Sequence, residues 1–485
     1  MGWMSLRSRF QNPPDFALTE ALFLRLLGLV YLSAFASLWP QVAGLFGDRG
    51  IAPSAESLKA LHDAFGAKAV FYVPTVFWLN SGTVALTAAC VVGCVAGLLM
   101  LSAVFSRYAA IVCFVLYLSL TTAGQPFTGF QWDALLLECG FLALFAGAPW
   151  LIWAYRLLLF RLMFESGVVK LTSHDPNWRN LHALRFHFLT QPLPTPLAYY
   201  MHRAPSWVLD SLTALTLFIE LLVPLLLMLP RRWRQIAGIL FICMQIVILL
   251  TGNYAFFNLL TLCLCIWCFD DSTYLPLRQM LARTYPRMRS LSSRTTAIAN
   301  TVLAILMAVG ILQVFQALVP ASTRIVRTIT FAIEPFEIVN SYGLFAVMTT
   351  TRPELVFEGS DDQVNWKEYS FRYKPGNLHR GLPLVAPYQP RLDWQMWFAA
   401  LGPYRNNPWT GGLAYRLLLN ELSVTRLLDR QQMLSPPKYI RVQIYDYKFS
   451  EPAERERTGV VWDRELLGHW LGPVLLPTPG GTSGK

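Results

Sequence analysis

Nine apolar runs fill the first two thirds of the chain, near residues 17–40, 76–102, 108–123, 132–149, 151–170, 207–229, 235–251, 255–270 and 298–320. A straight helix needs about 20 residues to cross the hydrocarbon of a bilayer. Each run therefore predicts a membrane-spanning helix, the shorter ones tilted or only partly inserted. Past residue 321 the pattern changes. Residues 354–358 and 366–373 alternate apolar and polar positions, as strands do, with Asp361-Asp362 between them as a turn. Tyr439–Phe449 alternates most regularly, while 392–401 and 413–428 carry a helical period. The expected architecture is a polytopic α-helical membrane bundle of about nine spans over 1–320. A small β-rich, sandwich-like extracytoplasmic domain with helical insertions follows over 321–476, then a disordered tail at 477–485.

Composition agrees with lipid as the main solvent. The chain is 54% hydrophobic and 14% charged, with a mean hydropathy of +0.40. An ordinary soluble domain carries roughly a quarter charged residues. The net charge of +11 would suggest a nucleic-acid partner in a soluble protein. Here the basic residues flank apolar runs, where the preference of Lys and Arg for the cytoplasmic side explains them, so nucleic acid is excluded. With the N-terminus inside, the inner loops hold twelve arginines (Arg7, Arg9, Arg107, Arg156, Arg231, Arg232, Arg234, Arg278, Arg283, Arg287, Arg289, Arg294). The outer loops hold six basic residues (Arg49, Lys59, Lys68, Arg179, Arg185, Arg203). An odd number of spans then places the C-terminal domain outside the cytoplasm, in the periplasm of a bacterium or the ER lumen of a eukaryote. The first apolar run is too long for a signal peptide and has no small-residue cleavage site, so it reads as a first span.

All eight cysteines lie in apolar runs, which gives no disulfide framework. Cys265 and Cys268 form a CxxC inside an apolar helix, where redox or zinc chemistry would need exposed thiolates and further ligands. No HExxH, GxSxG, GxGxxG or P-loop is present. Gly93 and Gly97 form a small-residue step of the kind that lets membrane helices approach closely.

Candidate chemistry rests on ionisable residues inside apolar runs, which are costly there and mark functional or structural centres. They are Arg25, Glu138, Arg161, Glu165, Lys170 and Glu220. Arg161 and Glu165, four apart, can pair on one helix face. Lys170 ends an apolar helix before the polar stretch His174-Asp175-Pro176-Asn177-Trp178-Arg179. Two readings stay open: a lysine in a poorly solvated cleft serving as a base, or one that snorkels to the interface. The loop 171–206 also holds His182, His187, His202, Pro192, Pro194, Pro196 and Pro205; His182 and His187, five apart, are poorly spaced for a shared metal.

Several long blocks resemble the lipase maturation factor family. They are FRLMFESGVVKLTSHDPNWRNLHALRFHFLTQPLPTPLAYY at 160–200, FQWDALLLECGFLALF at 130–145, EPFEIVNSYGLFAVMTTTRPELVFEGS at 334–360, PRLDWQMWFAALGPY at 390–404 and PPKYIRVQIYDYKFS at 436–450. They follow the family's order across most of the chain. The resemblance implies a polytopic membrane protein of the secretory pathway that helps secreted lipases reach an active, assembled state, with its terminal domain outside the cytoplasm. The short chain without a KDEL-type ending is similar to bacterial members, in an inner membrane. The shorter motif GVVKL also resembles the membrane core of vitamin K-dependent γ-carboxylases. There the corresponding lysine acts as a base toward a reduced quinone, which would give Lys170 that role; the soluble half and the loop do not follow the carboxylase pattern.

Three functions follow as expectations. A maturation factor without chemistry would bind exported clients such as lipases through the outer loop and domain, with Trp178, Arg179, His187, Trp394, Trp397 and Phe398 as contact candidates; it needs no cofactor or metal. A quinone-dependent enzyme would use Lys170 as base with His174, Asp175 and Glu138 near it. A transporter or lipid-binding protein is the third, although no inverted repeat supports transport.

Overall fold

The computed structural model describes residues 16–274, 291–319, 324–429 and 435–476. The tail 477–485 and the basic residues Arg7, Arg9, Arg278, Arg283, Arg287 and Arg289 lie outside the described residues. The helices that build the bundle are α1 (Ala17–Phe46), α2 (Ser54–Phe65), α3 (Thr83–Leu101), α4 (Ser106–Ala123), α5 (Gln131–Ala143), α6 (Leu151–Thr172), α7 (Ala183–Thr190), α8 (Ser206–Leu221), α9 (Arg231–Thr251), α10 (Phe257–Cys265) and α11 (Ser293–Leu318). Six are long and apolar enough to cross a membrane: α1, α3, α4, α8 with its tighter continuation to Met228, α9 and α11.

The remaining three runs behave differently for stated reasons. At 1.5 Å per residue, the 13-residue α5 is about 20 Å long, short of a hydrocarbon core of about 30 Å. The run Phe257–Cys268 is short as well. Helix α6 is long enough but carries Arg156, Arg161, Glu165 and Lys170, all buried. These helices are wrapped by others rather than facing lipid.

Lipid offers little hydrophobic drive between helices, so close van der Waals contact has to hold them. Helices α1 and α3 show how. A Cβ on Gly97 would lie 2.9 Å from the backbone nitrogen of Leu32, and one on Gly93 would lie 2.4 Å from the ring of Phe35. The small-residue step therefore serves packing. Tyr31, Phe35 and Tyr117 meet in edge and stacked contacts behind it, with ring centroids 5.3–6.1 Å apart.

Polar contacts gather at two ends. At one, the Thr19 N–H and hydroxyl donate to Asp271 at 2.8 and 2.9 Å. Also there, Gly147 N–H donates to Glu20 at 2.7 Å and Arg231 pairs with Asp270 at 2.8 Å. At the other, Thr83 donates to Asp48 at 2.8 Å and Gln191 to the Thr251 carbonyl at 2.9 Å.

The C-terminal unit begins with α12 (Arg324–Ile333) and is built on β1 (Pro353–Ser360), β2 (Lys367–Tyr369), β3 (Tyr439–Phe449) and β4 (Trp462–Val474), with α13 (Arg391–Ala400) and α14 (Trp409–Leu418) between β2 and β3. The strands form a single antiparallel sheet in the order β2-β1-β3-β4, with Phe357 opposite both Tyr369 and Val442. This corrects the sandwich expectation: helices and the bundle, not a second sheet, cover the apolar face. Leu355, Phe357, Ile440 and Val442 belong to the same hydrophobic cluster as Phe23 and Leu27 of α1.

The turn at Asp361-Asp362 is present, with Asp362 accepting from the Val364 and Asn365 N–H groups at 2.8 Å each. Strand 366–373 shortens to β2, and the helix expected over 413–428 breaks after Leu418, with Asn420 in the left-handed region (φ 48°). Strand β4 lacks a clean alternation. It is an edge strand exposed along most of its length and contains Gly468, Gly472 and Pro473, so no period-2 signal marks it.

Candidate functional site

Helix α6 carries two buried charged centres. In the first, Arg161 pairs with Glu138 of α5 at 2.7 Å and with Glu165 at 3.5 Å, the second being the i,i+4 pair its spacing allows. The Arg161 guanidinium also donates to Gln313 of α11 at 2.6 Å and to the Asn340 carbonyl. The chain leading into the sheet unit closes the set. Asn340 N–H donates to Glu138 at 2.8 Å, Tyr342 hydroxyl to Glu138 at 2.8 Å, and Tyr342 N–H to Glu165 at 2.8 Å. Gly310 lets α11 reach this centre: a Cβ there would lie 3.1 Å from the Arg161 side chain.

A parallel fastening lies nearby. Arg391, fully buried at the start of α13, makes a two-pronged bond to Asp133 of α5 at 2.8 and 2.9 Å, and Tyr117 hydroxyl donates to the same carboxylate. Such fork-to-carboxylate pairs are strong and directional. Arg352, likewise buried, donates to the Leu189 and Pro192 carbonyls at 2.6 and 2.8 Å and pairs with Glu354 at 2.9 Å. It thereby ties the loop 171–206 to β1.

The second centre of α6 is Lys170. Its ammonium contacts both carboxylate oxygens of Glu220 on α8, at 2.7 and 2.9 Å, and the Ser166 carbonyl at 3.2 Å. The Trp178 ring lies 5.2 Å away, within reach of a cation–π attraction. Gly167 permits this meeting, since a Cβ there would lie 2.8 Å from the Leu221 side chain. Lys170 is 3% exposed, so it does not snorkel to water. Beside it lies a cavity of about 320 Å³, walled by apolar residues of α6, α8 and α9 together with Lys170, Glu220, His187, Gln245, Tyr254 and Trp178.

Of the expected site residues, the cavity collects Lys170, Trp178 and His187. His187 Nε2 meets the Tyr254 hydroxyl at 3.2 Å, and that hydroxyl donates to Gln191 at 2.8 Å. Burial, with Lys170 adding to it, depresses the imidazole pKa from 6.5 to about 4, so His187 is neutral near pH 7. Glu138 belongs to the Arg161 centre. Asp175 caps the turn Pro176–Arg179 by accepting from Asn177 N–H at 2.9 Å and holds Met348 N–H at 2.6 Å. His174 is exposed, with φ 62°, and contacts Arg179, also exposed. Lys170, Glu138, His174 and Asp175 are thus not one constellation.

Trp394 and Trp397 are buried, at 3% and 8% exposure. The Trp394 ring lies 4.6 Å from that of Trp132, and Trp397 Nε1 donates to the Thr190 carbonyl at 2.8 Å. They bind the sheet unit to the bundle and do not form an open surface; Phe398, at 44%, does reach the surface. Sequence reasoning named Glu220 without its partner and missed Asp133, Tyr342, Gln245, Arg352 and Arg391. An in-span carboxylate was the signal for Glu220. Asp133 and Gln245 also lie inside apolar runs and carried the same kind of signal, whereas Tyr342, Arg352 and Arg391 sit in ordinary polar contexts where nothing local marks a distant partner.

Residues 18–276 match the family described as lipase maturation factor transmembrane domain, and residues 338–472 match the lipase maturation factor C-terminal domain. Lipase maturation factor 1 of Bos taurus is 33% identical over 506 residues, covering 95% of this chain and 89% of that protein. Lipase maturation factor 2 of Homo sapiens is 34% identical over 594 residues, covering 95% and 83%. Lipase maturation factor 1 of Homo sapiens is 34% identical over 519 residues, covering 95% and 88%. No solved structure matches the chain.

Proposed function

The chain belongs to the lipase maturation factor family, and we propose that this integral membrane protein brings exported proteins, lipases among them, to their active state. The observation that carries this reading is the near full-length correspondence with proteins named for that role, through both the bundle and the sheet unit. The structure fits a factor that presents a rigid surface from the membrane. The sheet unit is fastened to the bundle through Arg391–Asp133, Arg161–Asn340 and Arg352–Leu189.

Nine passes are part of the proposal. Helices α5, α6 and α10 are read as the other three passes, α5 and α10 inserted only part of the way, and the arginine bias supports an N-terminus in the cytoplasm. The division at residue 321 rests on the change of residue pattern there, and a sheet unit in the periplasm of a bacterial inner membrane rests on the charge bias with an odd number of passes. Clients would meet the exposed ring of Phe398 and the outer edge of β4, where Leu466 and Leu467 are more than half exposed. An edge strand offers unpaired backbone groups to an incoming extended segment.

A quinone-dependent reaction at Lys170 has the adjoining cavity in its favour. Against it, the three N–H groups of the ammonium face Glu220 and Ser166, and His174, Asp175 and Glu138 are engaged elsewhere.

The test is deletion of the gene in its host, complemented with wild type, a Lys170→Met/Glu220→Leu double variant, or Phe398→Glu. The readout is secreted lipase activity per amount of lipase antigen. Lost specific activity restored by wild type supports the maturation role, and unchanged lipase activity after deletion overturns it. Restoration by the Lys170/Glu220 variant excludes chemistry at Lys170.

A further inference from the structure

The cavity beside Lys170 is built on one side like a lipid site. Its walls include Leu215 of α8 and Cys243 and Val247 of α9, all exposed on the outer surface, the first two near the middle of their helices and Val247 one turn before the end of α9. The cavity therefore opens on the outer surface between two spans, with the loop 171–206 closing it at its other end. At about 320 Å³ it stands at the low end of the roughly 300–1,000 Å³ of ligand pockets, room for one chain and not two.

Its inner end is polar, and the polar groups have a definite balance. The charges of Lys170 and Glu220 cancel each other at 2.7 Å. The Tyr254 hydroxyl gives its hydrogen to Gln191, so it accepts from His187 Nε2, which leaves Nδ1 of a neutral imidazole as an acceptor. Gln245, 1% exposed on α9, accepts at Oε1 from Asn258 at 2.8 Å. Its Nε2 meets no acceptor among the described residues. A buried amide with unused donors is costly unless a partner arrives. The polar end thus offers the Gln245 amide as donor, His187 Nδ1 as acceptor and no net charge, beside an apolar sleeve.

We propose that this cavity holds the chain of an uncharged single-chain lipid, entering between α8 and α9, with a hydroxyl-bearing head that accepts from Gln245 and donates to His187. An anionic head would find its only cation already neutralised by Glu220 and would bury a charge without a counter-ion, which is strongly unfavourable. The proposal goes beyond the maturation role and stands or falls separately from it.

The experiment uses the full chain in lipid nanodiscs with two photoreactive, alkyne-tagged probes of equal chain length, a monoacylglycerol and a fatty acid, each with a diazirine in the chain. Labelled peptides are mapped by mass spectrometry. The monoacylglycerol probe is expected to label α8 and α9 around the cavity. Leu215→Trp, whose larger ring sits at the exposed mouth and leaves the fold intact, is expected to abolish that labelling. Gln245→Leu, which removes the lipid contact along with the Asn258 hydrogen bond and is compared at unchanged melting temperature, is expected to lower it about 3- to 10-fold. Thr216→Trp fills the cavity from inside and serves as a second block, read only in preparations with an unchanged melting temperature. Labelling of the same peptides that survives both tryptophan variants overturns the site. Equal or stronger labelling by the fatty acid overturns the uncharged head. Lipase maturation is scored apart, so failure of either reading leaves the other standing.

Discussion

Two charged centres sit nine residues apart on one helix, Arg161 and Lys170 of α6, and they do different work. Both are buried, paired with a glutamate and hydrogen-bonded to a backbone carbonyl. Arg161 is enclosed by protein from three directions: α5, α11 and the strand-leading segment at 340–342. Lys170 has helix α8 on one side and a cavity on the other. A guanidinium has five donors in a fixed fork and can join several elements at once; an ammonium is a compact point charge that one carboxylate can satisfy. The arginine centre therefore reads as a weld, and the lysine centre as the polar floor of a site. Burial alone does not separate a structural charge from a functional one; what lies next to the pair does.

The comparison breaks most visibly if the welds are cut. Arg391→Ala leaves Asp133 buried without its partner and is expected to cost about 3–5 kcal/mol, measured as loss of folded protein from the membrane and a lower melting temperature. Replacing the pair together, Arg391→Met with Asp133→Leu, is expected to recover most of that loss, because no charge is left unmatched. Arg161→Met is expected to fall in the same range of about 3–5 kcal/mol and to expose the segment at 340–342 to limited proteolysis. An unchanged proteolysis pattern would deny it the welding role.

The lysine centre sharpens the contrast. Lys170→Met/Glu220→Leu removes the pair as a unit, and its expected stability change stays below about 2 kcal/mol in either direction, while cavity labelling changes. A collapse of the fold would place Lys170 in the same class as Arg161.

A smaller effect is expected at His187. Its pKa is lowered from 6.5 to about 4 in the folded state, so below pH 6.5 the unfolded chain binds a proton that the folded one refuses. Stability is then lost as pH falls from about 6.5 toward 4. Lys170 and Tyr254 are the titratable groups that face it. His187→Phe is expected to flatten this part of the curve of melting temperature against pH. The smallest change is Phe398→Glu, an exposed site where stability should move by less than about 0.5 kcal/mol, and a pull-down with a secreted lipase would show reduced capture.

Much of the bundle was legible. Runs such as 207–229 and 298–320 are uniform enough for composition alone to predict a helix, and β3 was found to its ends because apolar and polar residues alternate along most of it, although its buried positions change face after Val442. The sandwich failed for a different reason. An apolar strand face announces that something covers it, but not what, and here the cover is a helix bundle rather than a second sheet. Trp394 and Trp397 misled in the same way: an aromatic cluster on a helix is equally a surface or a seam.

The sequence by itself determined that the protein lives in a membrane, which helices are apolar, where the sheet begins and which side chains carry charge into lipid. These are local properties, set by runs of neighbouring residues and the solvent they require. Only the tertiary structure decided that Arg161 closes on Glu138 and Asn340 while Lys170 closes on Glu220, that Arg391 reaches Asp133, and that Gln245 and His187 face one cavity. Those pairings join residues tens to hundreds of positions apart. Each residue type fits many partners equally well, and only the packing of the helices selects one.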